Sequence, residues 1–297
     1  MLECVPNVSE GRDRSVLDAL SASCGRALLD RHVDPDHHRS VFTLAGDETA
    51  AAVRSLAQVV AERVDLTAHT GVHPRLGALD VVPFVALAGS TSDDAVGAAQ
   101  EFGAWVAGAL AVPVFFYDAA DPSRRTLPDA RREAFRTRTP DAGPQHRHPT
   151  LGAVAVGARA PMIAVNCELA RDDLTLARSI ATRVRARDGG LPGVRALGVR
   201  LDSRSRAQVS MNLVALEHTG LQHACRSVDA LARGAGTSVA RVELVGLVPA
   251  AELARCDVEF LEWSGIGTDD TIEARLRTRT RTRTRPEVRA EVRAEPD

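Results

Sequence analysis

The sequence contains no lysine. All 37 basic residues are arginine, set against 39 acidic residues and 9 histidines, for a formal net charge of −2. With so much alanine alongside, this reads as coding bias. The near-neutral balance separates the chain from strongly basic nucleic-acid binders. No apolar run approaches the roughly 20 residues that a membrane-spanning helix needs. The opening Met1-Leu2-Glu3-Cys4-Val5-Pro6 lacks the basic start and apolar core of a secretory signal, so the expected compartment is the cytoplasm. Cys4, Cys24, Cys167, Cys225 and Cys256 are odd in number and form no CxxC, which points to reduced thiols rather than a disulfide framework. A Walker loop, a Rossmann glycine fingerprint, HExxH and GxSxG are also missing. That argues against nucleotide-dependent, zincin and serine-hydrolase chemistry.

What is present is a 297-residue chain with 44% hydrophobic and 26% charged residues, long enough for roughly two domains. Strand-like and helix-like segments alternate. Residues 2–8 read as a strand and 13–24 as a helix. Two strands follow at 27–33 and 39–46, split by Asp34-Pro35-Asp36. A helix is expected at 47–64 with Asp47 as its N-cap, a strand at 79–87, a helix at 92–110 and a strand at 112–117. Residues 124–150 are polar and weakly periodic, and read as a long functional or connecting loop. The pattern then restarts, with strands at 161–167, 194–201, 207–213 and 239–247 and helices at 172–187 and 220–233. Each half pairs four strands with two helices as βαββαβ, the split βαβ or ferredoxin-like arrangement. The expected class is α/β (α+β), with a groove between two subdomains at 1–160 and 161–274. From Arg275 the chain carries eight arginines and four acids in an Arg/Thr-rich tail, expected to be disordered through 297. Such a block can bind anionic surfaces or nucleic acid. The expectation here is a dispensable tail with no nucleic-acid role.

Two loops carry candidate chemistry: His32-Val33-Asp34-Pro35-Asp36-His37-His38-Arg39, and His69-Thr70-Gly71-Val72-His73-Pro74-Arg75-Leu76-Gly77. Pro74 holds His73 extended. In an extended segment His73 and Arg75, two apart, share a side. An imidazole with an ordinary pKa of about 6.5 can move protons near neutral pH. A neighbouring guanidinium keeps it neutral and suits a carboxylate ligand. An alternative is a metal-dependent hydrolase using Asp34, Asp36, His69 and His73, although adjacent His37 and His38 point apart on a strand and cannot share one ion.

Four co-linear segments resemble the glutamate formiminotransferase family, the transferase half of formiminotransferase-cyclodeaminase: Glu3-Cys4-Val5-Pro6-Asn7-Val8-Ser9-Glu10-Gly11-Arg12, the loop Gly71–Asp80, Gln208-Val209-Ser210-Met211-Asn212-Leu213, and Glu243-Leu244-Val245-Gly246-Leu247-Val248-Pro249. The resemblance runs from residue 1 to about 270. It implies two related α/β subdomains, a homodimer, and transfer of a formimino group from N-formimino-L-glutamate to N5 of tetrahydrofolate, with no metal and no membrane. It places the catalytic acid/base on His73 and a folate-contacting segment on Gly143, Pro144, Pro149 and Gly152. Arg75 and Arg39 are the expected partners of substrate carboxylates, and Asn7 and Asn212 of other polar groups. Three positions depart from the family pattern: Val72 stands for Glu, His38 for Asn, and Leu151 for an aromatic residue. These departures leave a non-catalytic folate or pterin binder as a further alternative.

Overall fold

The computed structural model describes residues 1–70 and 75–283. The first strand is broken by Pro6, which has no N–H to donate. It becomes β1 (Leu2–Cys4) and β2 (Asn7–Val8), joined by Val5 N donating to the Pro83 carbonyl (3.1 Å) and Pro6 O accepting from Phe42 N (3.0 Å). Then come α1 (Arg14–Ser23), β3 (Leu28–Asp34), β4 (Arg39–Ala45), α2 (Thr49–Arg63) and β5 (Leu79–Ala86). Asp13 caps α1 by accepting from Ser15 N and Val16 N. The cap expected at Asp47 is not formed. The N-cap position of α2 is Glu48, without a side-chain bond, and Thr49 turns its hydroxyl onto the Gly46 carbonyl instead.

In the sheet, β4 lies between β3 and the β1–β2 line, which in turn pairs with β5, all antiparallel. This is the ferredoxin-like order. The N-terminal half then runs on through the expected helix and strand, α3 (Ser92–Ala109) and β6 (Val114–Asp118), and beyond the sequence pattern through α4 (Leu127–Glu133) and β7 (Val154–Arg159). β7 inserts parallel between β5 and β6, so the sheet has seven strands rather than four. The stretch 124–150 is correspondingly not one loop. It carries α4, started by a Thr126–Asp129 capping box, and β7 follows it.

The C-terminal half is β8 (Ile163–Leu169), α5 (Leu174–Val184), β9 (Val194–Leu201), β10 (Arg206–Leu213), α6 (Leu221–Gly234) and β11 (Val239–Val245), in the antiparallel order β11-β8-β10-β9. Alternate residues of each strand bury against the helices. Ile163, Val165, Cys167 and Leu169 of β8 face α5 and α6 with Val209, Met211, Val228 and Ile180. The N-terminal core repeats the scheme with Phe42, Leu44, Leu56, Phe84 and Phe102. Helices α1–α3 and α5–α6 cover one face of each sheet; on the other face of the N-terminal sheet α4 packs over Val81, Phe115, Tyr117 and Ala155, and the rest looks across at the C-terminal sheet.

Three short helices close the chain: α7 (Ala250–Leu253), α8 (Val258–Ser264) and α9 (Ile272–Arg283). The tail expected to be disordered from 275 is therefore helical through Arg283. Ile272 and Leu276 pack against Leu29, Ala45 and Leu247, and Arg279 donates to the Arg26 carbonyl. Burial of this apolar edge extends order nine residues into the arginine run; 284–297 lie outside the described residues. No described helix is long and apolar enough to cross a membrane. All five cysteines are free thiols, four of them buried.

The tightest approach in the N-terminal half is at Gly77, which an antiparallel bridge joins to Gly152. A Cβ at Gly77 would stand 1.9 Å from the Ala153 carbonyl oxygen, a backbone atom that cannot move alone. Gly77→Ala is expected to lower stability by about 2 kcal/mol or more, read as a fall in the chemical-denaturation midpoint at unchanged slope.

Candidate active site

The facing sheets enclose an open groove of about 1150 Å³. Strand alternation selects its lining. Glu3, Val5 and Asn7 come from the first strand line, Arg39, Val41 and Thr43 from β4, Ala164 and Asn166 from β8, and Ser210 and Asn212 from β10. Ser210 is in register with Asn166, and Asn212 with Ala164. Helix α4 walls one side with Leu127, Asp129, Arg131 and Arg132. Eight arginines line the groove against four carboxylates, so a chain of net charge −2 carries a cationic cleft suited to carboxylate ligands. β4 spans seven residues, which makes the groove about 20 Å long on the strand rise.

One end holds the imidazoles. Asp34 closes the β3–β4 turn by accepting from His37 N (2.8 Å) and from the His37 ring at Nδ1. Burial pushes the Asp34 carboxyl up, but these bonds outweigh it and hold it below the usual carboxylate range. His37 lines the groove. His38 adopts a left-handed backbone (φ 50°), which swings its ring away to accept from Gly11 N (3.2 Å) and to lie 4.0 Å, centroid to centroid, from His69. The His69 ring meets the His38 carbonyl at 3.1 Å. Arg75 reaches the same ring and donates to the His37 carbonyl at 3.4 Å. Burial and then the Arg75 cation hold His69 below its ordinary pKa, and burial with His69 does so for His38. The loop thus returns to the β3–β4 turn at both of its described ends. His73 and Val72 lie outside the described residues.

The exit of that loop is clamped. Asp80, 2% exposed, accepts from Leu76 N at 2.6 Å and pairs with Arg131 of α4. Arg39 stands nearby on the groove wall. Burial draws its guanidinium down to about 10, Asp80 opposing that and Arg131 and Arg75 reinforcing it.

The opposite end is richer in arginine. There Asp118, Arg159, Arg185, Arg187 and Arg195 line the groove around the crossover at 160–162. Burial raises the Asp118 carboxyl, against the pull of Arg195 and Arg159.

The sequence-based candidates divide accordingly. Asn7, Arg39 and Asn212 lie on the groove; Asn7 donates to the Val5 carbonyl at 2.8 Å. Arg75 sits behind the wall, on His69. Gly143, Pro144, Pro149 and Gly152 are absent from the groove wall. Their segment instead braces the base of the loop, through Leu66 N to Thr150 O and Ala78 N to Leu151 O, both 2.9 Å. Leu151 points into the helix-side core at 6% exposure, so a side chain at this position meets packing rather than a ligand surface. The described members of the metal-site alternative do not converge. Asp34 is engaged by His37, Asp36 accepts from Ser203 N and Oγ, and no group of three potential ligands assembles among the described residues. Sequence reasoning missed Glu3, Asp80, Arg131, Asn166 and Ser210 as groove or clamp residues. Period-two alternation along β1, β8 and β10 could have found Glu3, Asn166 and Ser210.

A paired ferredoxin-like fold with a cationic, asparagine-lined groove and an imidazole loop at one mouth defines a class of two-subdomain small-molecule enzymes. Residues 1–159 match the model of the formiminotransferase domain, N-terminal subdomain, and 164–268 that of the formiminotransferase domain. The chain belongs to the formiminotransferase family. It is 37% identical to a glutamate formimidoyltransferase of Streptococcus pyogenes serotype M1, over 85% of this chain and 90% of that protein. It is 34% identical to one of Thermoplasma acidophilum, over 93% and 97%. A formimidoyltransferase-cyclodeaminase of Sus scrofa is 36% identical over 84% of this chain, which spans 50% of that longer protein.

Because Arg75 disfavours the His69 imidazolium, Arg75→Met is expected to raise the His69 pKa toward its ordinary value. Imidazole proton shifts in an NMR titration measure this. An unmoved or lowered pKa contradicts the electrostatic account.

Proposed function

We propose that this chain is a glutamate formimidoyltransferase, moving the formimino group of N-formimino-L-glutamate to N5 of tetrahydrofolate. The observation that carries the reading is the match of both subdomains to one family, and similarity over most of the chain to two relatives named glutamate formimidoyltransferase. The cationic groove supports it, since both substrates bear carboxylates.

N5 attacks the amidine carbon and a tetrahedral intermediate forms. The N5 proton passes to the His73 imidazole and then to the glutamate nitrogen. The C–N bond to glutamate breaks, leaving the formimino group on N5 and a free amine on glutamate. One base adjacent to both nitrogens serves both transfers, a contribution of about 10²–10⁴-fold. Holding the two substrates together contributes through effective molarity. In this reading His69 and Arg75 set the position and charge of the loop that carries His73. Arg39 takes a substrate carboxylate, and Asn7 and Asn212 orient polar groups from opposite walls. Gly143, Pro144, Pro149 and Gly152 contribute by holding the base of the loop where the folate ring arrives. The subdomains are 1–160 and 161–274. The enzyme works as a cytoplasmic homodimer without metal, a compartment in keeping with its free thiols.

Purified protein is expected to consume N-formimino-L-glutamate only when tetrahydrofolate is present, and His73→Ala to lower kcat by about 10² or more. Consumption without folate would refute the transferase reading. Unchanged kcat would remove His73 from the chemistry.

A further inference from the structure

Asp34 and His37 form a carboxylate–imidazole pair on the groove wall. Asp34 Oδ1 accepts from His37 N at 2.8 Å, and Oδ2 meets Nδ1 of the same residue's ring. Both side chains are largely withdrawn from solvent, yet both line the groove. One carboxylate thus fixes the backbone of the turn, the seat of the ring and the nitrogen that carries its proton. With Nδ1–H turned to Asp34, Nε2 is the nitrogen that exchanges protons. The bonds from His37 outweigh burial and keep Asp34 ionised at neutral pH. An ionised partner stabilises an imidazolium. Asp34 is also in register with Arg39 across the β3–β4 hairpin, and Arg39 lines the same wall.

Building on the transferase reading, we infer that His37, oriented by Asp34, is a second proton-transfer residue, delivering the proton that the departing glutamate nitrogen takes up. Position supports this role. In formiminoglutamate the departing nitrogen and the α-carboxylate are bonded to one carbon. A guanidinium at Arg39 that holds the carboxylate therefore sets the nitrogen down beside the Asp34–His37 pair. After N5 adds to the amidinium carbon, the N5 proton goes to His73, as in that reading. The His37 imidazolium gives its Nε2 proton to the glutamate nitrogen, and the C–N electron pair leaves with the amine. The lone pair of the remaining formimino nitrogen closes the C=N bond. His73 then loses one proton to solvent and His37 regains one. Two groups, one neutral and one charged at the start, spare a single imidazole from serving both nitrogens. Asp34 acts through His37 and is a positioning residue.

Steady-state kinetics with both substrates test the assignment. His37→Gln is expected to lower kcat about 10²-fold while the formiminoglutamate KM stays within about threefold. His37→Ala is expected to lose as much and to recover about tenfold when imidazole is added, since a free imidazolium can supply the proton. A ring that only braces the turn is not replaced by free imidazole. Asp34→Asn is expected to lower kcat about tenfold, and to cost little further in a His37→Gln background, because the pair acts as a unit. Unchanged kcat in His37→Gln, a loss confined to KM, or a loss in His37→Ala that imidazole does not restore overturns the inference. Each leaves the transferase reading intact, with one imidazole for both transfers. If His37→Ala fails to fold, the coupling of His37→Gln with Asp34→Asn decides, and additive losses overturn the inference. Wild-type protein without folate-dependent turnover overturns both.

Discussion

The arrangement rests on two sheets whose ferredoxin-like helices all lie on one face, with α4 alone covering part of the other face in the N-terminal half. A ferredoxin-like unit places both helices on the same side, so the opposite face must meet water or another surface. Here each sheet meets the other, and the lining sets arginine, asparagine, serine and carboxylates among aliphatic chains, unlike the wholly aliphatic faces of a sandwich core. Such faces do not close into a dry interface. The groove persists because its polar lining costs more to bury than to leave open to solvent or ligand.

The two halves are fixed at their edges instead. Ser203, in the β9–β10 turn, holds Asp36 of the β3–β4 turn. Ile272 and Leu276 of α9 seal the other side onto Leu29 and Ala45. These contacts lie at the periphery and leave the strand centres free for substrates. The polarity of the groove follows from strand direction. The ends of β3 and β4 that approach the imidazole loop stand opposite the ends of β6 and β7 that lead to Arg159 and the crossover.

The clamp at the loop exit connects packing with chemistry. Asp80 begins β5, yet its carboxylate holds the Leu76 backbone and the α4 guanidinium of Arg131 together. Helix, strand and loop share one ion pair whose carboxylate is buried. A charge buried there is stabilising only while its partners remain, which ties the loop's position to the integrity of α4.

By itself, the sequence determined the repeat of two βαββαβ units, because period-two and period-3.6 patterns are local and strong in segments such as β8 and α6. It also carried the family motifs, and with them the catalytic role proposed for His73. Tertiary structure alone decided that β7 joins the first sheet, since a short apolar segment after an irregular stretch has no local mark of its pairing. It decided that Leu151 faces the core and that the 143–152 segment braces the loop. It gave α9 its order, which comes from burying Ile272 and Leu276 rather than from any propensity of alternating arginine and threonine. It also brought Glu3 and Asn166, 163 positions apart in the chain, to the walls of one groove. Which distant side chains share a cavity depends on how two independent sheets dock, and no local pattern encodes that.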